Sequence, residues 1–126
     1  MKIASSLRFL AMTVLFLYGT LLDAATLSQR SGNAALAARL VPATLPGWQR
    51  VALRGGRYPT LRRQRSGSIQ GALVTLPAQA LARLAAYEGT AYRLTRVVVR
   101  TANRKTAARA WIAAAATRRP WPAKGS

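Results

Sequence analysis

Carboxylates are the main candidates for acid–base chemistry in this chain, and only two are present, Asp23 and Glu88. The 126 residues include 20 Lys and Arg but no His and no Cys. Proton transfer must therefore use one of these acids, a Tyr, a Lys or a terminal amine. Thiolate catalysis, disulfides and zinc or iron–sulfur sites are excluded, and two lone carboxylates are too few for a Ca²⁺ or Mg²⁺ site. We expect no metal and no cofactor.

Glu88 occupies a position that helix stability would give to a cation. Composition and apolar spacing predict a helix over Pro77–Glu88, ended by Gly89 in the left-handed conformation. An acid in the last turn of a helix opposes the helix dipole. Two interpretations are open. Either Glu88 is exposed and pairs with Arg83 or Arg93, or it is a carboxylate at the rim of a pocket, where burial raises its pKa and nearby cations lower it.

The second candidate site is the turn that follows the first strand. Val14–Tyr18 has the β-branched and aromatic composition of a buried strand, which Gly19 would end. Glycine lets the backbone approach a ligand, and consecutive N–H groups at Gly19, Thr20 and Leu21 can bind an anion. An ordinary strand and turn would contain the same residues. Asp23 follows, and we interpret it as a solvated loop residue or the partner of an Arg.

The remaining pattern predicts an α+β chain. Residues 23–33 are expected to be loop and residues 34–39 a short helix. Further extended segments are predicted at Trp48–Leu53, Tyr58–Leu61, Ser68–Leu76, Tyr92–Arg100 and Ala107–Ala114, with a helix as the alternative for the Ala-rich last segment. Within the third of these, Gly71 indicates a bulge or a close approach. This order of elements indicates a sheet that curls into a small barrel.

One domain accounts for the length of the chain, and we assign it to residues 12–116. Residues 1–11 are interpreted as a non-structural extension, with Met12 as an alternative start, and residues 117–126 as a disordered tail. Lys2, Arg8 and the apolar run Phe9–Leu22 are also typical of a signal peptide, but a good cleavage site is missing. The run is too short to span a bilayer. We expect a cytoplasmic protein, with secretion after cleavage near residue 24 as the alternative.

The net charge of +18 favours anionic partners. The Arg residues are scattered along the chain and no ladder of aromatic residues accompanies them, which argues against specific nucleic-acid binding. A solvated basic surface that favours small anions fits this distribution better. A non-catalytic basic protein that binds RNA or an anionic surface remains the alternative to an enzyme.

Taken together, the segments resemble the gamma-glutamylcyclotransferase-like family. In order, they are Leu15–Leu22, Gly56–Leu61, Gly71, Leu81–Gly89, Tyr92-Arg93 and Val97–Val99. The resemblance implies a small mixed or antiparallel β-barrel flanked by one or two helices, with the first loop and the Glu facing one cavity. It also implies an enzyme without a cofactor that cyclises a γ-glutamyl amide or dipeptide to 5-oxoproline and releases an amine. An inactive family member is the alternative.

The resemblance gives roles to six residues. Glu88 would be catalytic, taking a proton from the α-ammonium group of a small γ-glutamyl substrate and returning it to the leaving nitrogen. The backbone amides of Gly19, Thr20 and Leu21 would hold the substrate. Tyr18 and Tyr92 would line the pocket.

Overall fold

The computed structural model describes residues 12–53, 59–113 and 116–120. Its helices and strands are β1 (Thr13–Leu17), α1 (Ala24–Ser31), β2 (Val41–Leu53), β3 (Pro59–Leu76), α2 (Ala78–Glu88), β4 (Tyr92–Arg100), β5 (Lys105–Ala113) and β6 (Ala116–Pro120). Short 3₁₀ turns cover Thr20–Leu22 and Ala37–Arg39. The predicted extension at 1–11, the motif residues Gly56, Arg57 and Tyr58, and residues 121–126 of the predicted tail lie outside the described residues.

Five strands close a mixed barrel. β1 lies between β3, to which it is antiparallel, and β5, to which it is parallel. β5 pairs with β4, β4 with β2, and β2 with β3, which completes the ring. β6 pairs with β2 at Val51 and Leu53, beyond the point where β4 pairs with it at Thr44. The predicted α+β barrel with flanking helices is confirmed.

Alternation along β1 divides the apolar residues between two cores. Phe16 and Tyr18 belong to a cluster inside the barrel, whereas Leu15 and Leu17 face the helices. This is the period of two that a strand buried on both faces requires. The outer core adds residues from α1, α2 and β5: Leu27, Ala80, Leu84 and Trp111. The helices are therefore fixed against the barrel by burial of their apolar side chains.

The prediction of a loop over residues 23–33 was wrong, because α1 occupies most of it. The Asp23 carboxylate caps this helix by accepting hydrogen bonds from the N–H and the hydroxyl of Thr26, at 3.0 and 2.8 Å. Gly32 ends the helix with a φ of 72°. Leu27 is fully buried in the outer core. Asp23 is thus a helix cap rather than an Arg partner, and the hydrogen bonds from Thr26 lower its pKa.

The predicted helix at 34–39 is reduced to the 3₁₀ turn Ala37–Arg39.

No described helix is long and apolar enough to cross a membrane.

Strand pairing extends further than local composition predicted. β2 starts at Val41 and passes through two prolines, with a bulge at Gly47, where φ is 86°. β3 joins the two predicted segments Tyr58–Leu61 and Ser68–Leu76 into one strand along β2. Disorder was predicted from residue 117, but residues 116–120 pair with β2. That expectation is corrected for residues 117–120, since a long partner strand supplies backbone hydrogen bonds that the local sequence does not reveal.

Candidate active site

A cavity of about 240 Å³ opens where β1 and α2 end. Its lining includes all six residues that the sequence analysis selected: Tyr18, Gly19, Thr20, Leu21, Glu88 and Tyr92. The other lining residues are Phe16, Leu17, Pro59, Tyr87 and Trp111. Residues from β1, β3, α2, β4 and β5 therefore meet in one small space that is rich in aromatic side chains.

The turn after β1 contributes Gly19, Thr20 and Leu21 to the lining of this cavity. The Leu22 N–H donates to the Gly19 carbonyl at 3.0 Å, and the Asp23 N–H donates to the Thr20 carbonyl at 3.1 Å. The first N–H groups of such a turn have no partner within it. In this turn they are the N–H groups of Gly19, Thr20 and Leu21, and donors of this kind can bind an anion.

Gly71 lets β3 pass close to the end of β1. A Cβ at this position would lie 2.1 Å from the Leu17 carbonyl oxygen and 2.8 Å from the Phe16 ring. Side-chain atoms are not tolerated at these distances. The predicted close approach is confirmed, and it is made against the residues that lead into the turn.

Hydrogen bonds of the Tyr18, Thr60 and Tyr92 hydroxyl groups connect four strands next to the cavity. The Tyr18 hydroxyl donates to the Trp111 carbonyl oxygen, and the Thr60 side chain hydrogen-bonds Tyr18. Thr60 also accepts from the Ala113 N–H at 2.7 Å, and the Tyr92 hydroxyl donates to the Pro59 carbonyl at 3.0 Å. Burial raises the pKa of Tyr18 well above its usual range, so its hydroxyl stays neutral. Tyr18 is therefore a fixed wall of the site.

Arg50 supports the same strand end from inside the barrel. Its Nη2 donates to the Tyr18 carbonyl at 2.7 Å. A charged hydrogen bond therefore holds the peptide group between Tyr18 and Gly19. Its Nε is buried and has no partner among the described residues. Hydrogen bonds thus hold both the side chain and the backbone carbonyl of Tyr18, the residue that leads into the turn.

Glu88 is half-buried at the cavity. Burial raises its pKa to about 7, because the charged carboxylate loses solvation. Burial is the cause of this shift, and neither Arg83 nor Arg93, which the sequence analysis considered as partners, lowers the pKa of Glu88. Arg83 lies against α1, since a Cβ on Gly32 would be 2.7 Å from its Nε, and Arg93 is exposed. Near neutral pH Glu88 can therefore both accept and donate a proton, which suits general acid–base chemistry.

Gly89 ends α2 directly after Glu88. Its N–H donates to the Ala85 carbonyl at 3.0 Å, and its φ of 88° is positive, as predicted. Its ψ of 173° is extended, however, instead of left-handed helical. This combination is almost restricted to glycine. It takes the chain out of the helix at once and into β4, which brings Tyr92 to the same cavity as Glu88.

Sequence reasoning missed Tyr87, Trp111 and Thr60. The Tyr87 hydroxyl lies 2.7 Å from the Thr20 hydroxyl, and the Arg30 guanidinium is 4.9 Å from the centre of the Tyr87 ring. Tyr87 could have been noticed as a polar aromatic residue next to Glu88. Trp111 and Thr60 gave no comparable signal. Only the pairing of β5 and β3 with their neighbours places Trp111 in the lining and Thr60 against Tyr18 behind it.

Known proteins share this architecture. Solution structures of two Arabidopsis thaliana proteins superimpose with TM-scores of 0.69 and 0.70, at 25% and 26% identity. They cover 82% and 81% of this chain and 70% and 62% of their own. A protein described as gamma-glutamyl cyclotransferase has a TM-score of 0.72 at 16% identity, over 84% of this chain and 69% of its own. No curated protein matches.

The barrel, its two helices and the cavity define a protein of the gamma-glutamylcyclotransferase-like fold. The sequence agrees, since a family model described as gamma-glutamyl cyclotransferase, AIG2-like, matches residues 15–125. The chain belongs to this family.

Proposed function

We propose that the protein is a cofactor-independent enzyme that cyclises a γ-glutamyl amide or dipeptide to 5-oxoproline and releases an amine. Membership of the family supports this class of reaction. The single observation that carries the proposal is the position of Glu88, a carboxyl group with a pKa of about 7 in the cavity that Gly19, Thr20 and Leu21 also line.

The reaction needs one proton carrier and a bent substrate. Glu88 takes a proton from the α-ammonium group, and the α-nitrogen then attacks the γ-carbonyl carbon to close the ring. The amide C–N bond breaks, and the two protons that the α-nitrogen gives up end on the leaving amine. Glu88 carries them, alternating between carboxylate and carboxylic acid. Holding both reacting groups of one molecule in contact supplies much of the rate enhancement.

The remaining lining residues bind and orient the substrate. The N–H groups of Gly19, Thr20 and Leu21 would hold a carboxylate or the developing oxyanion of the γ-carbonyl. Tyr18 and Tyr92 are anchored by hydrogen bonds to Trp111 and Pro59, so they form rigid walls that favour the folded-back conformation. The cavity of about 240 Å³ suits a γ-glutamyl group better than a long peptide.

The test is release of 5-oxoproline from a panel of γ-glutamyl amino acids and γ-glutamyl amines by the purified protein. We expect at least one compound to be cyclised, and Glu88→Gln to lower kcat by about 10²- to 10⁴-fold. Asp23→Asn is the matched control, because it removes the other acid while Asn still caps a helix. The proposal fails if no γ-glutamyl compound yields 5-oxoproline, or if Glu88→Gln and Asp23→Asn turn over equally fast.

A further inference from the structure

The outer face of the β4–β5 pair is packed against the outer core at one end and exposed at the other. Next to the cavity, Tyr92, Leu94 and Trp111 pack into the outer core beneath the helices. Beyond the pair Leu94–Trp111, no residue on this face of β4 and β5 belongs to the outer core. There the outward residues of both strands are exposed: Arg96, Val98, Arg100, Lys105, Ala107 and Arg109. We call these six residues the basic sheet surface.

Like charges oppose each other on this surface. Arg96 pairs with Arg109 and Arg100 pairs with Lys105 across the two strands, with Val98 and Ala107 between them. Directly opposed like charges destabilise a sheet. The chain has only two acidic side chains, and both are used elsewhere, one as the cap of α1 and one in the cavity. No acidic side chain of the protein is therefore left to neutralise this surface.

Exposed aliphatic residues lie among these cations. The large hydrophobic residues exposed in the described chain are Met12, Val41 and Val98, at 42%, 49% and 55%. Met12 lines a shallow depression with Arg96 and Arg109. Val41 lines a neighbouring one that contains Arg39 and Arg104, and the two depressions share Val14. Since Val14 lies near the start of β1 and the cavity at its end, the cations and the aliphatic residues are concentrated away from the cavity.

We propose that the basic sheet surface, with Met12 beside it, docks on an anionic lipid bilayer. Arg and Lys side chains pair with acidic headgroups, and exposed aliphatic residues enter the headgroup region, which adds apolar burial to electrostatic attraction. The cavity at the far end of the barrel then stays open to water and to dissolved substrate. The proposal is independent of the reaction proposed above.

Other occupants fit this surface less well. A single-stranded nucleic acid would call for aromatic residues on which bases stack, and the described residues place none on this face. A second copy of the chain would bring the same positive charges together. Residues 1–11 contain Lys2 and Arg8 and no acid, so they do not complement the charge either.

Vesicle co-sedimentation of the full-length protein tests the proposal. We expect binding to phosphatidylcholine vesicles that contain phosphatidylserine, and none to phosphatidylcholine alone. Changing Arg96, Arg100 and Arg109 together to Gln should lower the affinity on the order of a hundred-fold, since each cation near the membrane surface contributes about five-fold. The control changes Arg63, Arg65 and Arg83 to Gln, which removes the same charge elsewhere, and should stay within about three-fold of the wild type.

The variant Val98→Ser distinguishes binding to a lipid bilayer from binding to nucleic acid. Because it removes apolar contact without changing charge, we expect it to weaken vesicle binding about three- to ten-fold. Thermal unfolding checks that the Arg variants are folded, and loss of like-charge pairs should not destabilise them. The proposal is overturned if the two triple variants lose affinity equally, if Val98→Ser binds vesicles like the wild type, or if the protein does not bind the anionic vesicles. Binding of an RNA oligonucleotide through the same arginines, without vesicle binding, would assign the surface to nucleic acid instead.

Discussion

At the scale of the residue, burial gives Glu88 a pKa in the range usual for histidine. A carboxyl group normally ionises well below neutral pH, but burial raises the pKa of Glu88 to about 7. No His or Cys competes with it in that range. The pH dependence of the protein near neutrality should therefore be dominated by one side chain.

This has a consequence for stability. The folded state binds the Glu88 proton more tightly than the unfolded chain, whose pKa for this group is 4.5. The stabilisation is therefore complete below about pH 4.5 and is lost as the pH rises through about 7. We expect the free energy of unfolding in urea to fall by about 2–3 kcal/mol between about pH 5 and about pH 8.

The variant Glu88→Gln serves as the control. Its Gln side chain cannot titrate, so most of the pH dependence of the unfolding free energy should disappear. An unfolding free energy that is constant or rises over the same interval would show that Glu88 is ionised at normal acidity in the folded protein.

At the scale of the element, the sequence predicted what local signals specify. Helix α2 was predicted to within one residue, and β4 was predicted over its observed range, because each has a continuous pattern and a clear end. The predicted end of that helix also placed Glu88 in its last turn and Gly89 directly after it. Helix α1 was missed although Asp23 and Gly32 are good caps. Only Leu27 and Ser31 of its eight residues are buried, so its apolar face is too short to recognise.

Long-range pairing explains the other differences. The prolines of β2 locally predict an interrupted strand. Pairing with β3 from Val41 to Ala52 nevertheless keeps β2 extended. Strand register brings Trp111 to the cavity and Thr60 to the Tyr18 hydroxyl behind it, and no local pattern encodes this register. Turn and helix-end chemistry in the sequence pointed to Gly19, Thr20, Leu21 and Glu88, whereas Tyr18 and Tyr92 were selected through the family resemblance. All six line the cavity.

Gly71→Ala tests how β3 supports the turn. The new Cβ would meet the Leu17 carbonyl at 2.1 Å, and because this contact is to backbone, β1 or β3 must move. We expect the free energy of unfolding in urea to drop by about 2 kcal/mol or more. Gln70→Ala, at an exposed position of the same strand, should change it by less than about 0.5 kcal/mol. Equal stability of the two variants would mean that the close approach does not constrain the turn.

At the scale of the whole molecule, the charge of +18 is the dominant feature. Self-repulsion of this size destabilises a compact chain, and dissolved salt screens it. We expect the midpoint of urea unfolding to rise when NaCl is increased from about 0.01 M to about 0.3 M. A midpoint that falls with salt would mean that attractive charge pairs outweigh the repulsion.

The molecule also separates two kinds of surface. The cavity lies where β1 and α2 end, and the basic sheet surface lies on the uncovered half of β4 and β5. The family match extends to residue 125, whereas the domain assigned from sequence ends at residue 116. This assignment stays a prediction, and β6 shows that the chain after residue 116 still pairs with the sheet.

The pH profile of kcat/KM for 5-oxoproline release, measured for the wild type with its best γ-glutamyl substrate, tests the central claim most directly. The proposed reaction requires a deprotonated Glu88 to accept the first proton, so kcat/KM should rise about tenfold per pH unit below about pH 7 and level off above it. The residual rate of Glu88→Gln should not show this rise. A wild-type profile that is flat between about pH 5 and about pH 8, or one that Glu88→Gln reproduces, would contradict the account.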